Sequence, residues 1–185
     1  EREQLERNVA SLRARVERLA GLALEGVERA MARMEPTPGA EDTIRILKEL
    51  GYRVAAISGG FDLFVEPLKR RLGLDYAWAN QLEVAEGRLT GRLIGEIVDA
   101  PRKAALLRSL AAAEHIPMEM VVSVGDGAND IPMLQAAGLG IAFGSRDKTR
   151  RAADGGIRRN DMRGVLYLLG VTERDVRRLA ERRDP

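Results

Sequence analysis

The chain has 185 residues, 45% hydrophobic and 31% charged, with 4% aromatic residues and no cysteine. That composition supports one packed domain, with at most a small appendage, and excludes disorder and a disulfide scaffold. Thirty Lys and Arg against 28 Asp and Glu leave +2, and the positive excess lies after residue 145, where 12 basic side chains meet 7 acidic ones. This tail has no aromatic interleaving beyond Tyr167, so a solvated helix face is expected there and no nucleic-acid partner. With Cys absent and His115 the single histidine, the usual zinc sites and Ser-His or Cys-His catalysis are nearly excluded. Carboxylates, Lys, Arg, hydroxyls and backbone groups remain. No apolar run approaches the roughly 18 residues of a bilayer span, and the start EREQLERNVA is too charged for a secretory signal. The expectation is no membrane and a cytoplasmic address.

In chain order, Leu5, Val9, Leu12, Val16 and Leu19 recur at three and four, which predicts a helix, and a second follows Gly21 around Val27, Ala30 and Met31. Two prolines and a glycine in Met34-Glu35-Pro36-Thr37-Pro38-Gly39 break the pattern. Ile44, Leu47 and Leu50 mark a helix closed by Gly51, and Val54-Ala55-Ala56-Ile57 reads as a buried strand. A helix should follow Gly60, with Pro67 kinking it or delaying its start. Leu82-Glu83-Val84 and Arg88-Leu89-Thr90 flank Ala85-Glu86-Gly87 as a hairpin. Asp99 and Pro101 open a helix through Ala113, and Met120 to Val124 is another strand. Asn129 to Ala137 is a helix, Leu139 to Phe143 a third strand, and Met162 to Leu169 and Thr172 to Glu181 are helical. Strands alternating with helices indicate an α/β fold with a mostly parallel sheet.

In such sheets ligands bind beyond the carboxyl ends of the strands. After Ile57 comes Ser58-Gly59-Gly60-Phe61, a hydroxyl followed by residues that can aim backbone N–H groups at a phosphate; a tight strand-to-helix turn is the alternative. After Val124 comes Gly125-Asp126-Gly127-Ala128-Asn129-Asp130. Its hard oxygen ligands at a strand end suit Mg²⁺, which keeps several waters and relies on a few carboxylates plus substrate phosphate. Asp130 could be a simple helix cap, whereas Asp126 stands four residues too early for that role. Lys103 lies in the first turn of a helix, where the dipole does not favour a cation. It is either a solvated surface lysine or a point charge for a transferring phosphoryl group.

Together with Thr37-Pro38-Gly39-Ala40, Leu72-Gly73-Leu74-Asp75-Tyr76, Ala79-Asn80, Gly87-Arg88-Leu89-Thr90-Gly91 and Gly140-Ile141-Ala142-Phe143, these motifs run in the order of one known family. Over nearly its whole length the chain resembles the phosphoserine phosphatases of the haloacid dehalogenase superfamily. The resemblance implies a Rossmannoid three-layer sandwich over 36–170 with a partial small helical cap over 1–35 and a helical tail over 171–185. It also implies Mg²⁺ as cofactor and a small phosphomonoester, O-phosphoserine, as substrate. Ser58 with the Gly59 amide would bind phosphate, Lys103 would stabilise charge, Asp126 would ligate Mg²⁺, and Asn129 and Asp130 would support metal and substrate. Arg15 resembles the cap arginine that grips the substrate carboxylate, with a helix-surface arginine as the alternative.

The family opens with a strand ending in Asp-x-Asp-x-Thr, whose first Asp is phosphorylated and whose second is general acid and base. No Asp-x-Asp occurs in these 185 residues. By the resemblance that strand belongs between the strand ending at Ser58 and the one ending at Asp126, so a segment before Glu1 is expected. Two rivals remain: a phosphatase for another small phosphomonoester, and a non-catalytic module that binds phosphate or metal.

Overall fold

A computed structural model describes residues 2–145 and 147–180. It builds the chain from helices α1 (Arg2–Glu17), α2 (Leu24–Met31) and α3 (Ala40–Glu49), strand β1 (Ala55–Phe61), α4 (Asp62–Leu72), and strands β2 (Tyr76–Ala85) and β3 (Arg88–Ile94). Then come α5 (Ala100–Ala113), β4 (Val122–Gly125), α6 (Ile131–Ala136), β5 (Leu139–Phe143), α7 (Asp147–Arg151), β6 (Gly155–Ile157), α8 (Gly164–Leu168) and α9 (Glu173–Ala180). The expected helical end at Glu181 lies outside the described residues. No described helix is long and apolar enough to cross a membrane.

The strands form two sheets rather than one. The first has the order β1-β2-β3, with β1 and β2 parallel and β2 and β3 antiparallel. The second, β4-β5-β6, is wholly parallel. Among the described residues β1 and β4 are each an end strand and do not pair with one another. The fold is α/β with mostly parallel pairing, as the alternation of elements predicts.

Two local expectations change, and the hairpin stands where it was expected. α4 starts at Asp62 and carries Pro67 in its interior; its start is not delayed, and Pro67 has no N–H to give to the helix ladder. β2 begins at Tyr76, well before the hairpin, because its first half pairs with β1 and its second with β3. The turn between β2 and β3 is tight, with positive φ at both Glu86 (50°) and Gly87 (71°), the twist that two-residue hairpins favour.

α1 and α2 rest on this hairpin. Val16 packs with Leu82 and Leu89, and Leu12, Leu19 and Val27 extend the cluster, which accounts for the three-and-four spacing of the first helix. The chain after α1 lies along the edge of β3: Gly21 N–H donates to Leu89 O and Leu89 N–H to Leu22 O. Gly91 makes the approach possible. Its φ is +82°, and a Cβ there would lie 2.9 Å from Ala20 Cβ and 3.1 Å from Glu17 O.

On the other side of the first sheet, Asp75 fastens the start of β1. Its carboxylate accepts the Val54 N–H at 2.8 Å and pairs with Lys48 Nζ at 2.7 Å. Partial burial raises the Asp75 pKa, but the Lys48 ammonium and the Val54 N–H outweigh that and hold it below the usual carboxylate range.

Two outcomes follow from these contacts. Gly91→Val should cost at least about 1 kcal/mol, since both the positive φ and the contact with α1 oppose a side chain; urea unfolding checks this, and hydrogen exchange should show α1 opening first. Because the folded pKa of Asp75 is depressed, its contribution to stability is full above the ordinary carboxylate range near about pH 4. It is lost as pH falls through the folded value. Asp75→Asn should therefore be less stable than native at pH 7 and show a flatter acid limb when unfolding is measured between pH 3 and 7.

Candidate active site

The apolar run before Ser58 continues as strand through Ser58-Gly59-Gly60 to Phe61, instead of turning at Ser58 as the sequence suggests. Ile57 faces Trp78 and Phe61 faces Asn80, so four steps along β1 match two along β2. The surplus residues form a bulge, the device by which strands re-aim backbone and side chains beside active sites. Gly60 N–H donates to Ser58 Oγ at 3.0 Å. That amide is therefore not aimed outward, and the Ser58 hydroxyl keeps its proton for another acceptor.

Gly59 is where the other elements meet. A Cβ at this position would sit 3.5 Å from Val98 O, 3.6 Å from Asn129 Nδ2 and 3.9 Å from Lys103 Cε. A side chain here would fill the space between the amide of Asn129 and the lysine. Asn80, on β2, holds the bulge from beneath: its Nδ2 donates to Gly59 O at 2.8 Å, and its Oδ1 accepts the Val98 N–H at 2.8 Å.

α5 starts where Asp99 caps it by accepting the Arg102 N–H at 2.9 Å, as the Asp-x-Pro pattern predicts. One residue further, Lys103 is buried, with 5% of its surface exposed, and its Nζ donates to Asp130 Oδ1 at 2.6 Å. This is not a surface lysine. The other oxygen of Asp130 accepts the N–H groups of Asp126 at 3.1 Å and Gly127 at 3.0 Å. Asp130 is thus a clamp on the loop before it rather than a cap on the helix after it. Gly125 lets the clamp close, because a Cβ there would lie 2.4 Å from Asp130 Cβ.

Asp126 and Asn129 are exposed at the end of β4. With Asp130 spent on Lys103 and two amides, Asp126 is the carboxylate in this loop whose side chain has no partner among the described residues. No group of three or more His, Cys, Asp or Glu that could hold a metal occurs among those residues. Asp126 fits one ligand position of a hard, oxygen-seeking ion such as Mg²⁺, and the remaining oxygens would have to come from water, phosphate or elsewhere.

The structure therefore brings Gly59, Lys103, Asp126, Asn129 and Asp130 into one connected set, with Ser58 adjoining through the bulge. Arg15 is not part of it. It is exposed in the last turn of α1, and its Nε donates to Ser11 O at 3.4 Å. The role of Asn80 is the feature that sequence reasoning missed. Its signal was an amide directly after the apolar run Tyr76-Ala77-Trp78-Ala79.

Removing one partner of a buried ion pair strands the other charge, a loss of about 3 to 5 kcal/mol. Asp130→Ala should show a loss of that order in urea unfolding. The double variant Lys103→Met with Asp130→Asn should cost clearly less, because it removes both charges and keeps an acceptor for the two amides.

Residues 2–135 match the haloacid dehalogenase-like hydrolase family. A phosphoserine phosphatase of Streptomyces coelicolor is 51% identical over 166 residues, which are 90% of this chain and 40% of that protein. One of Methanocaldococcus jannaschii is 49% identical over 156 residues, 84% of this chain and 74% of that protein. A solved structure described as a phospho-aspartyl intermediate analogue of phosphoserine phosphatase superposes with a TM-score of 0.82 at 48% identity, over 86% of this chain and 76% of that one. The chain spans less than half the length of the Streptomyces protein. Its extensive family match, its high identity to these relatives and the shared fold show that the chain belongs to the haloacid dehalogenase-like hydrolases.

Proposed function

We propose that the protein is a Mg²⁺-dependent phosphomonoesterase that releases serine from O-phosphoserine through an aspartyl-phosphate. The observation that carries this reading is the convergence of Gly59, Lys103, Asn129 and the Asp126–Asp130 clamp at the ends of two strands. Those strands, β1 and β4, each present an unpaired edge among the described residues. The relatives named as phosphoserine phosphatases supply the substrate.

In this reading the nucleophile lies on a segment outside these 185 residues, as a strand between β1 and β4 that ends in Asp-x-Asp. The first carboxylate attacks phosphorus and the bond from phosphorus to the serine oxygen breaks, while the second Asp gives its proton to the leaving alkoxide. Water then attacks the phosphorus, the second Asp takes back a proton, and inorganic phosphate leaves. Ser58 donates its hydroxyl proton to a phosphoryl oxygen and Gly59 its N–H. Lys103 sits beside the transferring group as a compact positive charge, held in line by Asp130. Asp126 would hold Mg²⁺, which supplies charge neutralisation on the phosphate when bound, and Asn129 supports the substrate. Residues 1–35 would form part of a cap, and Arg15, which the folded chain does not bring to the set above, would meet the carboxylate of the substrate when it binds.

The test is turnover against a panel of phosphomonoesters, using the intact protein with and without EDTA. O-phosphoserine should be preferred and chelation should abolish turnover. Preference for a different ester transfers the reading to that substrate, and no turnover on any of them favours the non-catalytic module. Residues 1–185 alone should hydrolyse nothing, because no acceptor for the phosphoryl group is present. In the intact protein, Asp126→Asn and Lys103→Met should each lower kcat by about a hundredfold or more. Arg15→Ala should lower kcat/KM for phosphoserine and spare a substrate without a carboxylate.

A further inference from the structure

The bulge in β1 is held by a side chain from the neighbouring strand. Where β1 carries its surplus residues against β2, the half-buried Gly59 carbonyl is met by a side chain, and a carbonyl in such a place without a donor is costly. Asn80 Nδ2 donates to it at 2.8 Å. On the far side of the same amide, Oδ1 accepts the N–H of Val98, one residue before the cap of α5. Only 1% of Asn80 is exposed, so water replaces neither bond. Its partners fix its orientation, since a carbonyl can only accept and a backbone N–H can only donate.

We propose that Asn80 is a positioning residue for phosphate binding and transfer: one rigid amide sets the separation between the Ser58–Gly59 bulge and the helix that carries Lys103. This rests on the function proposed above. The span it fixes is narrow, because a single Cβ added at Gly59 would already stand in van der Waals range of both Val98 O and Lys103 Cε. If the amide is lost, the Gly59 carbonyl must turn to find another donor, and the Gly59 N–H and Ser58 hydroxyl turn with it. Lys103 stays anchored on Asp130. The anion contacts from β1 and the charge on α5 then no longer meet at one point. Displacements of about 1 Å in such a constellation cost on the order of a hundredfold in rate.

No smaller or acidic residue reproduces the arrangement. Alanine serves neither partner. Aspartate can accept from Val98, but it donates to Gly59 O only when protonated, so at neutral pH it sets two oxygens against each other.

The experiment uses the intact Mg²⁺-loaded protein as native, Asn80→Ala and Asn80→Asp. It measures kcat and KM for the ester that the native protein hydrolyses, and inhibition by inorganic phosphate. Near-UV circular dichroism and a thermal midpoint confirm that each variant is folded at the assay temperature. We expect both variants to lose about tenfold to a hundredfold in kcat and to bind inorganic phosphate at least about tenfold more weakly. Asn80→Asp should regain part of its kcat relative to native as pH is lowered and the carboxyl becomes a donor. Folded variants with native kcat and native phosphate inhibition overturn the inference and leave the proposed function standing. So does a lowered midpoint with no change in either constant, which makes Asn80 merely structural. A variant too unstable to assay is replaced by Asn80→Ser read at a temperature below its transition, under the same criteria. A native protein that neither hydrolyses any phosphomonoester nor binds phosphate overturns the proposed function, and this inference with it.

Discussion

The buried pair between Lys103 and Asp130 is the interaction on which the site depends. It joins α5, which follows the first sheet, to the loop after β4, which opens the second. The two sheets share no strand pairing among the described residues, so this contact, the packing of α5 on α6 and the cluster that joins α3 to α8 and α9 carry the registration between them. Removing a lysine and an aspartate from water carries a large desolvation cost, and attraction alone rarely returns it. Asp130 offsets part of that cost by accepting two further N–H groups, so each carboxylate oxygen has a donor. The result is a positive charge held in one place without side-chain mobility. For stability alone, an apolar pair of the same volume would serve as well. A fixed cation at a strand end is more readily explained by chemistry than by packing.

Three glycine-containing segments give this pair its surroundings by different means. At Gly125 the absence of a side chain admits the body of Asp130. At Gly59 it leaves a space bounded by Lys103 and Asn129 that an anion, rather than a Cβ, can occupy. At Gly91 a positive φ lets α1 close on β3. The first two shape the site itself, and the third holds the helices that pack on the hairpin. The same residue type therefore serves close contact, open space and backbone conformation, and a glycine in a motif says little until its neighbours are known.

Much of this was legible in the residues. The helices of 1–31, α3, α5, β5 and the hairpin turn declare themselves through period, caps and positive-φ residues, because in each case local chemistry and tertiary packing ask for the same thing. The loop Gly125 to Asp130 stands out for a related reason: a carboxylate directly after an apolar strand, too early to cap the next helix, is suited to holding a cation. What stayed hidden depended on partners distant in sequence. The first half of β2, Tyr76 to Asn80, lacks period-two alternation because both its faces are partly covered and the ladder partner changes beyond it. β6, at Gly155–Ile157, has only three residues and two are glycines, so nothing in its propensity marks a strand. Continuation of β1 through Ser58-Gly59-Gly60 runs against local preference, since that sequence favours a turn; the strand persists because Asn80 and β2 supply bonds the sequence does not announce. Asp130 was open between cap and site, and the choice depended on where Lys103, 27 residues away, would point.

The two end strands explain why the site sits where it does. β5, flanked on both sides, has a buried centre, whereas Ala55, Ala56 and Ile57 of β1 are only half-buried although they are as apolar. An apolar strand with an exposed row of backbone donors and acceptors is an unfavourable edge unless something pairs with it or covers it. β1 and β4 both have this character, and their carboxyl ends come together at Gly59 and Asn129. Strands in a sheet lie about 4.8 Å apart. In the function proposed above, a strand pairing with both edges in the parallel sense would end between the Ser58–Gly59 bulge and Asp126. Around that point stand Ser58, Gly59, the Lys103 ammonium fixed by Asp130, and the exposed Asp126 carboxylate. On that reading, pairing of the strand would satisfy both open edges and bring its terminal side chain to the phosphate site, coupling folding to assembly of the site.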